Sequence, residues 1–197
     1  MQPIFNYIIS TDKRYNNSVD VEGSELVVNT EITERDYHFV NRIGVIEKVS
    51  MFNNLKLQKG DQVIVHHNVF RRWYDQHGSE RNSASYLNES EYAVYDDQIF
   101  AYKRNDDWVS IPGYVFVAPV KDDDKWNTEI EKPLVGELMY SNTDLNIEIG
   151  DTVGFTPNSE YEFNIEGNKL YRILSNQITW KATRKNEKKL LPLQRSH

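Results

Sequence analysis

Residues 60–65 read Gly-Asp-Gln-Val-Ile-Val, and residues 150–155 read Gly-Asp-Thr-Val-Gly-Phe. In both places a Gly-Asp pair, typical of a turn, leads into a short run rich in apolar and β-branched residues. This pattern is typical of a β-strand that begins where a turn ends. Its occurrence at two places suggests that the chain contains an internal repeat.

The repeat extends in both directions from these two stretches. In each copy two strand-like segments precede the Gly-Asp stretch, and the first of them begins with tyrosine and the second with glycine. A closing segment that contains Gln-Ile follows the stretch. The other three segments are 7–9, 44–49 and 92–101 in the first copy, and 114–117, 136–140 and 171–180 in the second. Four segments in one order, found twice, predict two copies of one small β domain.

The strand-like pattern dominates the whole chain, and no window carries an apolar stripe at helical spacing that is long enough to predict a helix. Many short strands at close spacing indicate an all-β protein built from two tandem small β-barrels. We predict a first domain at 1–103, a polar linker at 104–107, a second domain at 108–183 and a basic C-terminal tail at 184–197.

Composition narrows the class of protein. The chain has 197 residues, a net charge of −7 and no cysteine, which excludes disulfides and thiolate metal sites. Positive charge is concentrated at 184–197, so the two acidic domains are not expected to bind nucleic acid. The sequence shows neither a membrane-spanning run nor a signal peptide, and we expect a cytoplasmic protein that binds no membrane.

The first copy contains two insertions that the second lacks. Its first connection is about 15 residues longer than its counterpart, and a later one is about 11 residues longer. The first insertion includes Gly23, Ser24 and Glu25, then the apolar tripeptide Leu26-Val27-Val28, then Asn29. This tripeptide forms either a short strand paired within the domain or an apolar hook for the groove of a partner.

The second insertion contains Arg71, Arg72, Trp73 and Tyr74. Arginine, tryptophan and tyrosine are enriched at the energetic centres of protein interfaces, so these residues are a candidate interface loop. The alternative is a hairpin that folds onto its own domain, and the sequence does not distinguish the two.

The order of these features resembles the GroES-type (chaperonin-10) co-chaperonin family. Members carry a flexible loop with an apolar motif after the first strand, then a Gly-Glu-Val strand, a Gly-Asp-x-Val strand and a closing Asp-Ile-Leu-Ala segment. In this chain the corresponding stretches are 23–28, 44–46, 60–63 and 97–101. The sequence departs from the family at Glu25, where members have glycine, and at 50–54, where many members have a longer hairpin.

The resemblance implies a co-chaperonin that forms a ring-shaped lid on a GroEL-type chaperonin. As in the family, the ring would have seven subunits. Leu26, Val27 and Val28 would then bind the chaperonin, flanked by residues 23–25 and 29. The second copy has the polar run 121–129 in place of the tripeptide and would serve as a spacer, a wall or an assembly surface. The shorter hairpin is similar to viral members, which would place the protein in a host cytoplasm.

Other functions receive less support from the sequence. His66 and His67 are adjacent on an expected strand, so their side chains should point to opposite faces and chelate a metal poorly, even with His77 as a third ligand. No phosphate-binding loop, nucleophile elbow or zinc-protease motif occurs. We therefore expect no enzyme activity, metal or cofactor. A structural, virion-type assembly protein is the main alternative, and a metal-dependent enzyme is the weakest.

Overall fold

A computed structural model shows two compact units, residues 1–109 and 110–197. It describes residues 2–16, 39–121 and 130–183 in full, and 18–21 and 24–27 by their backbone. Within these ranges the secondary structure consists of β-strands and two single-turn 3₁₀ helices, Asp96–Gln98 and Ser175–Gln177. The prediction of an all-β protein is therefore confirmed. The described part of the chain has no helix long and hydrophobic enough to span a bilayer.

The strands follow the order of the chain. In the first unit they are β1 (Tyr7–Ser10), β2 (Ser18–Val21), β3 (Ser24–Val27), β4 (Ile43–Lys48), β5 (Gln62–Val65), β6 (Arg72–Tyr74), β7 (Glu80–Asn82), β8 (Glu91–Val94), β9 (Ile99–Arg104) and β10 (Asp107–Ser110). In the second they are β11 (Tyr114–Lys121), β12 (Glu131–Ser141), β13 (Thr152–Phe155), β14 (Tyr161–Ile165), β15 (Asn168–Leu174) and β16 (Ile178–Ala182).

Each unit is built on one six-stranded sheet, and the two sheets repeat one arrangement. The first has the order β10-β9-β5-β4-β1-β8, and the second has the order β14-β15-β11-β12-β13-β16. Five strands correspond one to one, because β9-β5-β4-β1-β8 matches β16-β13-β12-β11-β15. The sixth strand differs, since β10 extends the first sheet beside β9 whereas β14 extends the second beside β15. The segments that repeat in the sequence therefore occupy the same places in both sheets.

Neither six-stranded sheet is closed within the described residues. The end strands are β10 and β8 in the first unit and β14 and β16 in the second, and no ladder joins either pair. Closure into a barrel would require such a ladder. The two units are thus open antiparallel sheets, and the predicted tandem barrels are not confirmed.

The Gly-Asp pairs fold in the same way in both units. Gly60 and Gly150 have φ values of +92° and +89°, a region that glycine adopts without steric cost. The carboxylates of Asp61 and Asp151 each accept a hydrogen bond from the backbone N–H three residues earlier, at 2.8 Å and 3.0 Å. The motif therefore marks a tight turn that is closed by its own aspartate.

The two aspartates differ in one respect. Asp61 is also bound by the guanidinium of Arg104, with Nε 3.0 Å from Oδ1 and Nη2 2.6 Å from Oδ2. The strand register places Thr183 at the position equivalent to Arg104, so Asp151 faces no guanidinium there. Among the residues that the structure describes, this bidentate ion pair belongs to the turn of the first unit.

We expect Asp61→Asn to lower the free energy of unfolding by about 1 to 3 kcal/mol, because it removes a charge-assisted pair whose carboxylate is almost fully buried. Asp151→Asn is the matched control and should cost less, since the turn hydrogen bond can be kept by the amide oxygen. Urea denaturation of both variants measures the difference. Equal losses would show that the guanidinium contributes nothing.

The predicted linker is wrong. Arg104 ends β9 and Asp107 begins β10, so residues 105–106 form the tight connection between these two paired strands. Its central residues, Asn105 and Asp106, have φ values of +53° and +67°, as a two-residue type I′ hairpin turn requires. The polar composition that suggested a linker is thus the composition of a hairpin turn.

Each unit has a hydrophobic core against which its glycine-led strand packs closely. In the second unit the core comprises Val115, Val117, Leu138, Val153, Phe155 and Ile173. A Cβ atom on Gly136 would lie 2.6 Å from Cγ2 of Val117, and one on Gly44 would lie 2.8 Å from Cδ1 of Ile9. Both contacts are shorter than carbon atoms tolerate, which explains why these two strands contain glycine.

Candidate partner-binding site

The first insertion begins and ends in a paired stalk, which we define as residues 14–16 and 39–41. Asn16 N donates a hydrogen bond to Phe39 O at 2.6 Å, and Asn41 N donates one to Arg14 O at 2.8 Å. Tyr15 and Val40 form an antiparallel bridge between these two bonds. The two ends of the insertion are therefore held side by side.

Beyond the stalk, the backbone of the insertion forms the hairpin β2–β3. This hairpin is a separate two-stranded sheet, in which Leu26 lies opposite Val19 and Val27 lies opposite Ser18. Of the predicted site residues, 24–27 are on β3, whereas Gly23, Val28 and Asn29 lie outside the described residues. The tripeptide thus begins in a short paired strand, one of the two alternatives, and its binding to a partner remains a prediction.

The second insertion is the hairpin β6–β7, in which Trp73 lies opposite Arg81. Its turn is organised by Asp75, whose carboxylate accepts hydrogen bonds from the backbone N–H groups of His77 (2.9 Å) and Ser79 (3.0 Å). The N–H groups of Ser79 and His77 lower the pKa of Asp75. On β6, Trp73 and Tyr74 remain 44% and 51% exposed. The hairpin therefore presents two aromatic rings to solvent.

The two insertions are joined by Arg14 and Tyr15 of the stalk. Arg14 donates to Phe70 O through Nε (3.0 Å) and to Asn82 Oδ1 through Nη2 (2.8 Å). The Tyr15 hydroxyl donates to Arg72 O (3.1 Å) and accepts from Arg72 N (3.0 Å). The stalk is thereby fixed to the base of the β6–β7 hairpin, and we call the whole assembly the joined insertions.

Charged groups add to this junction. Glu80 on β7 lies 3.7 Å from Nη1 of Arg14 and 3.5 Å from Nη1 of Arg72. The Arg72 guanidinium also lies 5.7 Å from the centre of the Tyr15 ring. Because the Arg14 side chain is only 10% exposed, its pairing with Glu80 is better shielded from solvent than a surface ion pair.

Tyr15→Phe should loosen the joined insertions without unfolding the unit. It removes the hydroxyl that both donates to and accepts from the backbone of Arg72, at a cost of about 1 kcal/mol. We expect hydrogen exchange of the Arg72 amide to accelerate about fivefold. Tyr74→Phe, which alters an exposed ring on the same hairpin, is the matched control and should leave the exchange rate unchanged. An unchanged rate in Tyr15→Phe would contradict the proposed role.

The sequence did not reveal the roles of Arg14 and Tyr15. Their contacts with Arg72 and Asn82 bridge residues more than fifty positions apart, and no local pattern encodes such a pairing. The available signal was that an arginine and a tyrosine occur at the start of the first insertion. Arg71 and Arg72, which were predicted from composition, lie at the start of the hairpin that these residues contact.

The two adjacent histidines do not point to opposite faces, contrary to the prediction. Strand β5 ends at Val65, so His66 and His67 are outside the strand, and their rings stack with centroids 4.3 Å apart. Burial, followed by the charges of His66, Arg42 and Arg71, lowers the pKa of His67 to about 3. Within the described ranges, no three His, Asp or Glu side chains are grouped as a metal site would require.

The lowered pKa of His67 gives stability a pH dependence with a defined sign. Above about pH 6.5 this imidazole is neutral in both the folded and unfolded chains. Between about pH 6.5 and 3 the unfolded chain binds a proton that the folded chain excludes, so stability falls as the pH falls. We expect His67→Gln to flatten this part of a stability–pH curve measured by urea denaturation. His77→Gln is the control, and a curve unchanged in His67→Gln would contradict the assignment.

A groove of about 640 Å³ lies beside the β6–β7 hairpin. Its walls include Arg71, Trp73 and Gln98, together with the small residues 83–85. It combines a cation, an aromatic ring and an amide, which suits binding of a polar or aromatic segment of another protein. The predicted interface residues Arg71 and Trp73 thus line one concave surface.

Of the predicted partner-binding residues, the structure places 24–27 on β3 and Arg72–Tyr74 on β6, and it joins the stalk of the first insertion to the base of the β6–β7 hairpin. No protein-family model matches this chain, and no curated protein matches its sequence.

Proposed function

We propose that this chain is a tandem-domain co-chaperonin that forms a ring-shaped lid on a GroEL-type chaperonin. The observation that carries the proposal is the mounting of the first insertion. An apolar strand segment lies outside the main sheet, on a stalk that hydrogen bonds fix to the rest of the unit. A partner-binding element of this kind needs both a secure base and a binding segment that the core does not require.

The expected binding energy suits a reversible lid. Burial of Leu26, Val27 and Val28 would contribute about 1.5 to 3 kcal/mol each. Ordering a flexible loop costs about 1 to 2 kcal/mol per residue, which offsets much of this gain. The paired backbone of β2 and β3 reduces the number of residues left to order. One hairpin would still bind weakly, and a ring of them would bind firmly because every contact after the first is intramolecular.

The second unit has a different role under this proposal. It repeats the five-strand arrangement of the first unit, which supports a duplication of one small GroES-like domain. Its counterpart of the first insertion carries the acidic run 122–124 instead of an apolar tripeptide. We assign it to the wall or the assembly surface of the lid. The protein would act in the cytoplasm, in a host cell if it is viral, without cofactor or catalysis.

Imaging of the chain mixed with a GroEL-type chaperonin and nucleotide tests the proposal. At micromolar concentration we expect particles with density added at the end of the chaperonin cylinder. A sample without nucleotide is the control, because co-chaperonin binding depends on the state of the chaperonin. Uncapped cylinders under all conditions would exclude this function.

A structural or virion-type assembly protein is the second candidate. The exposed rings of Trp73 and Tyr74, beside the groove on the β6–β7 hairpin, favour it, because rigid aromatic side chains suit permanent interfaces. Under this function the chain would assemble without a chaperonin. Assembly would also be indifferent to charge at Leu26 or Val27.

A further inference from the structure

The first unit carries an exposed aromatic patch on the side of the molecule formed by its N-terminal segment and the connection after β4. We define the aromatic patch as Phe5, Phe52 and Tyr95. The rings of Phe5 and Phe52 stack with centroids 5.4 Å apart and planes at 14°. The three side chains are 64%, 59% and 55% exposed, and they line a cleft of about 520 Å³. Clustered exposure of this kind usually marks an interaction surface.

The backbone under the patch is firmly held. Met51 N donates a hydrogen bond to Pro3 O at 2.9 Å, and the Ser50 hydroxyl donates one to Ile4 O at 2.8 Å. These bonds join the segment that carries Phe5 to the segment that carries Phe52. The stacked rings therefore form a preorganised surface rather than two independent side chains.

The rim of the cleft is acidic. Asp96 and Asp97 line it next to Tyr95, and Asp96 accepts a hydrogen bond from Asn54 Nδ2 at 2.8 Å. The lining contains no lysine or arginine. At the equivalent positions the second unit has the uncharged residues 174–176, Leu-Ser-Asn. The negative charge beside the aromatic patch is thus not repeated at the equivalent positions, 174–176, of the second unit.

An occupant must accordingly be apolar and basic. Three parts of the chain lie largely outside the described residues, and two of them are acidic: 17–38 has six Asp or Glu against one Arg, and 122–129 has four against one Lys. The third, 184–197, has five Lys or Arg against one Glu. It reads Lys-Lys-Leu-Leu-Pro-Leu at 188–193, which places two cations directly before three leucines. Extended, it could reach about 45 Å from the end of the second unit.

We propose that the aromatic patch binds the basic segment 184–197 of a second copy of the chain. Leucines 190, 191 and 193 would pack on the rings of Phe5, Phe52 and Tyr95, while the lysines at 188 and 189 face the carboxylates of Asp96 and Asp97. This contact joins two different surfaces, so repeating it from copy to copy builds a ring or an open chain. The inference deepens the proposed function, because a ring-shaped lid needs such a contact.

Photo-crosslinking in the full-length chain tests the inference without a chaperonin, so its failure would not be confused with a failure of capping. An unlabelled chain with Phe52→p-benzoylphenylalanine is refolded together with an excess of ¹⁵N-labelled wild-type chain and irradiated. We expect adducts between position 52 and ¹⁵N-labelled peptides from 184–197. Leu145→p-benzoylphenylalanine, at an exposed site on the second unit, is the matched control and should give no such adduct. Adducts with only unlabelled 184–197, with other segments, or with nothing would overturn the inference.

Sedimentation velocity of variants gives a second, independent measurement. Phe52→Asp and Leu191→Asp should each raise the dissociation constant for self-association at least tenfold. Asp97→Lys should weaken association about two- to fivefold, and adding Lys188→Glu should restore it. Circular dichroism would verify that each variant is folded. Unchanged association in both Phe52→Asp and Leu191→Asp would contradict the proposed contact.

Discussion

Leu26→Asp and Val27→Asp should each abolish binding to a GroEL-type chaperonin. The change removes about 1.5 to 3 kcal/mol of apolar burial and adds the cost of placing a carboxylate in an apolar groove. Because every subunit of a ring carries the same substitution, the same loss of binding free energy occurs at every contact with the chaperonin. We expect the apparent affinity to fall by at least a thousandfold, as measured by surface plasmon resonance on immobilised chaperonin with nucleotide.

The matched control is Leu145→Asp, which makes the same chemical change at a leucine that is 45% exposed on the second unit. It should bind the chaperonin like the unaltered chain. Both residues on β3 lie in the separate β2–β3 sheet, so neither substitution should unfold the six-stranded sheet. Retained binding by Leu26→Asp and Val27→Asp would show that the tripeptide is not the chaperonin-binding site. An equal loss of chaperonin affinity in Leu145→Asp would show that the affinity responds to the added negative charge, wherever it is placed, and not to the loss of Leu26 or Val27.

Gly136→Ala should destabilise the second sheet. The new methyl would lie 2.6 Å from Cγ2 and 2.7 Å from Cβ of Val117, and 3.0 Å from the carbonyl oxygen of Ala118. A β-branched side chain cannot swing away from its own backbone, so the strands themselves must separate. We expect a loss of about 1 to 3 kcal/mol, with faster hydrogen exchange at the Leu138 amide.

Gly44→Ala is the matched comparison at the equivalent position of the first unit. Its methyl would lie 2.8 Å from the terminal Cδ1 of Ile9, which a change of rotamer can move, 3.1 Å from the carbonyl oxygen of Ser10 and 3.2 Å from Cζ of Phe70. The entropic gain from replacing glycine offsets part of the remaining strain, so the loss should be below about 1 kcal/mol. Equal losses in both variants, measured by urea denaturation, would mean that the type of neighbouring atom does not matter.

The sequence predicted the features that depend on local chemistry. The Gly-Asp turns at 60–61 and 150–151 could be identified because a positive φ favours glycine and a short carboxylate closes the turn. The strands could be identified from their β-branched and aromatic residues, and their repeated order corresponds to the same positions in two sheets. Since both copies encode one pattern, each copy supported the interpretation of the other.

The features that depend on distant pairings could not be predicted. Whether a sheet closes is decided by contacts between end strands such as β8 and β10, which no single segment encodes. The linker was misplaced because the residues that favour linkers also favour type I′ turns, as at Asn105 and Asp106. The histidines at 66 and 67 were misjudged because the boundary of β5 was uncertain by only two residues.

The candidate site was predicted in part for the same reason. Composition identified the two insertions and the aromatic residues at 73 and 74, because long connections and exposed rings are local properties. It did not show that Tyr15 holds the two insertions together, since this contact spans 57 positions. It also did not show that Phe5 stacks on Phe52, because nothing in either segment specifies the other.

Because the sixth strand is placed differently, the two copies do not expose the same edge strands. Two identical sheets in one chain would expose identical edge strands, whose unpaired N–H and C=O groups can pair with the edge strand of another chain. In the first sheet β10 pairs with β9, whereas β16, the counterpart of β9, is an end strand of the second sheet. In the second sheet β14 pairs with β15, whereas β8, the counterpart of β15, is an end strand of the first sheet. The two sheets therefore end in strands that do not correspond, so they offer different edges to an added strand.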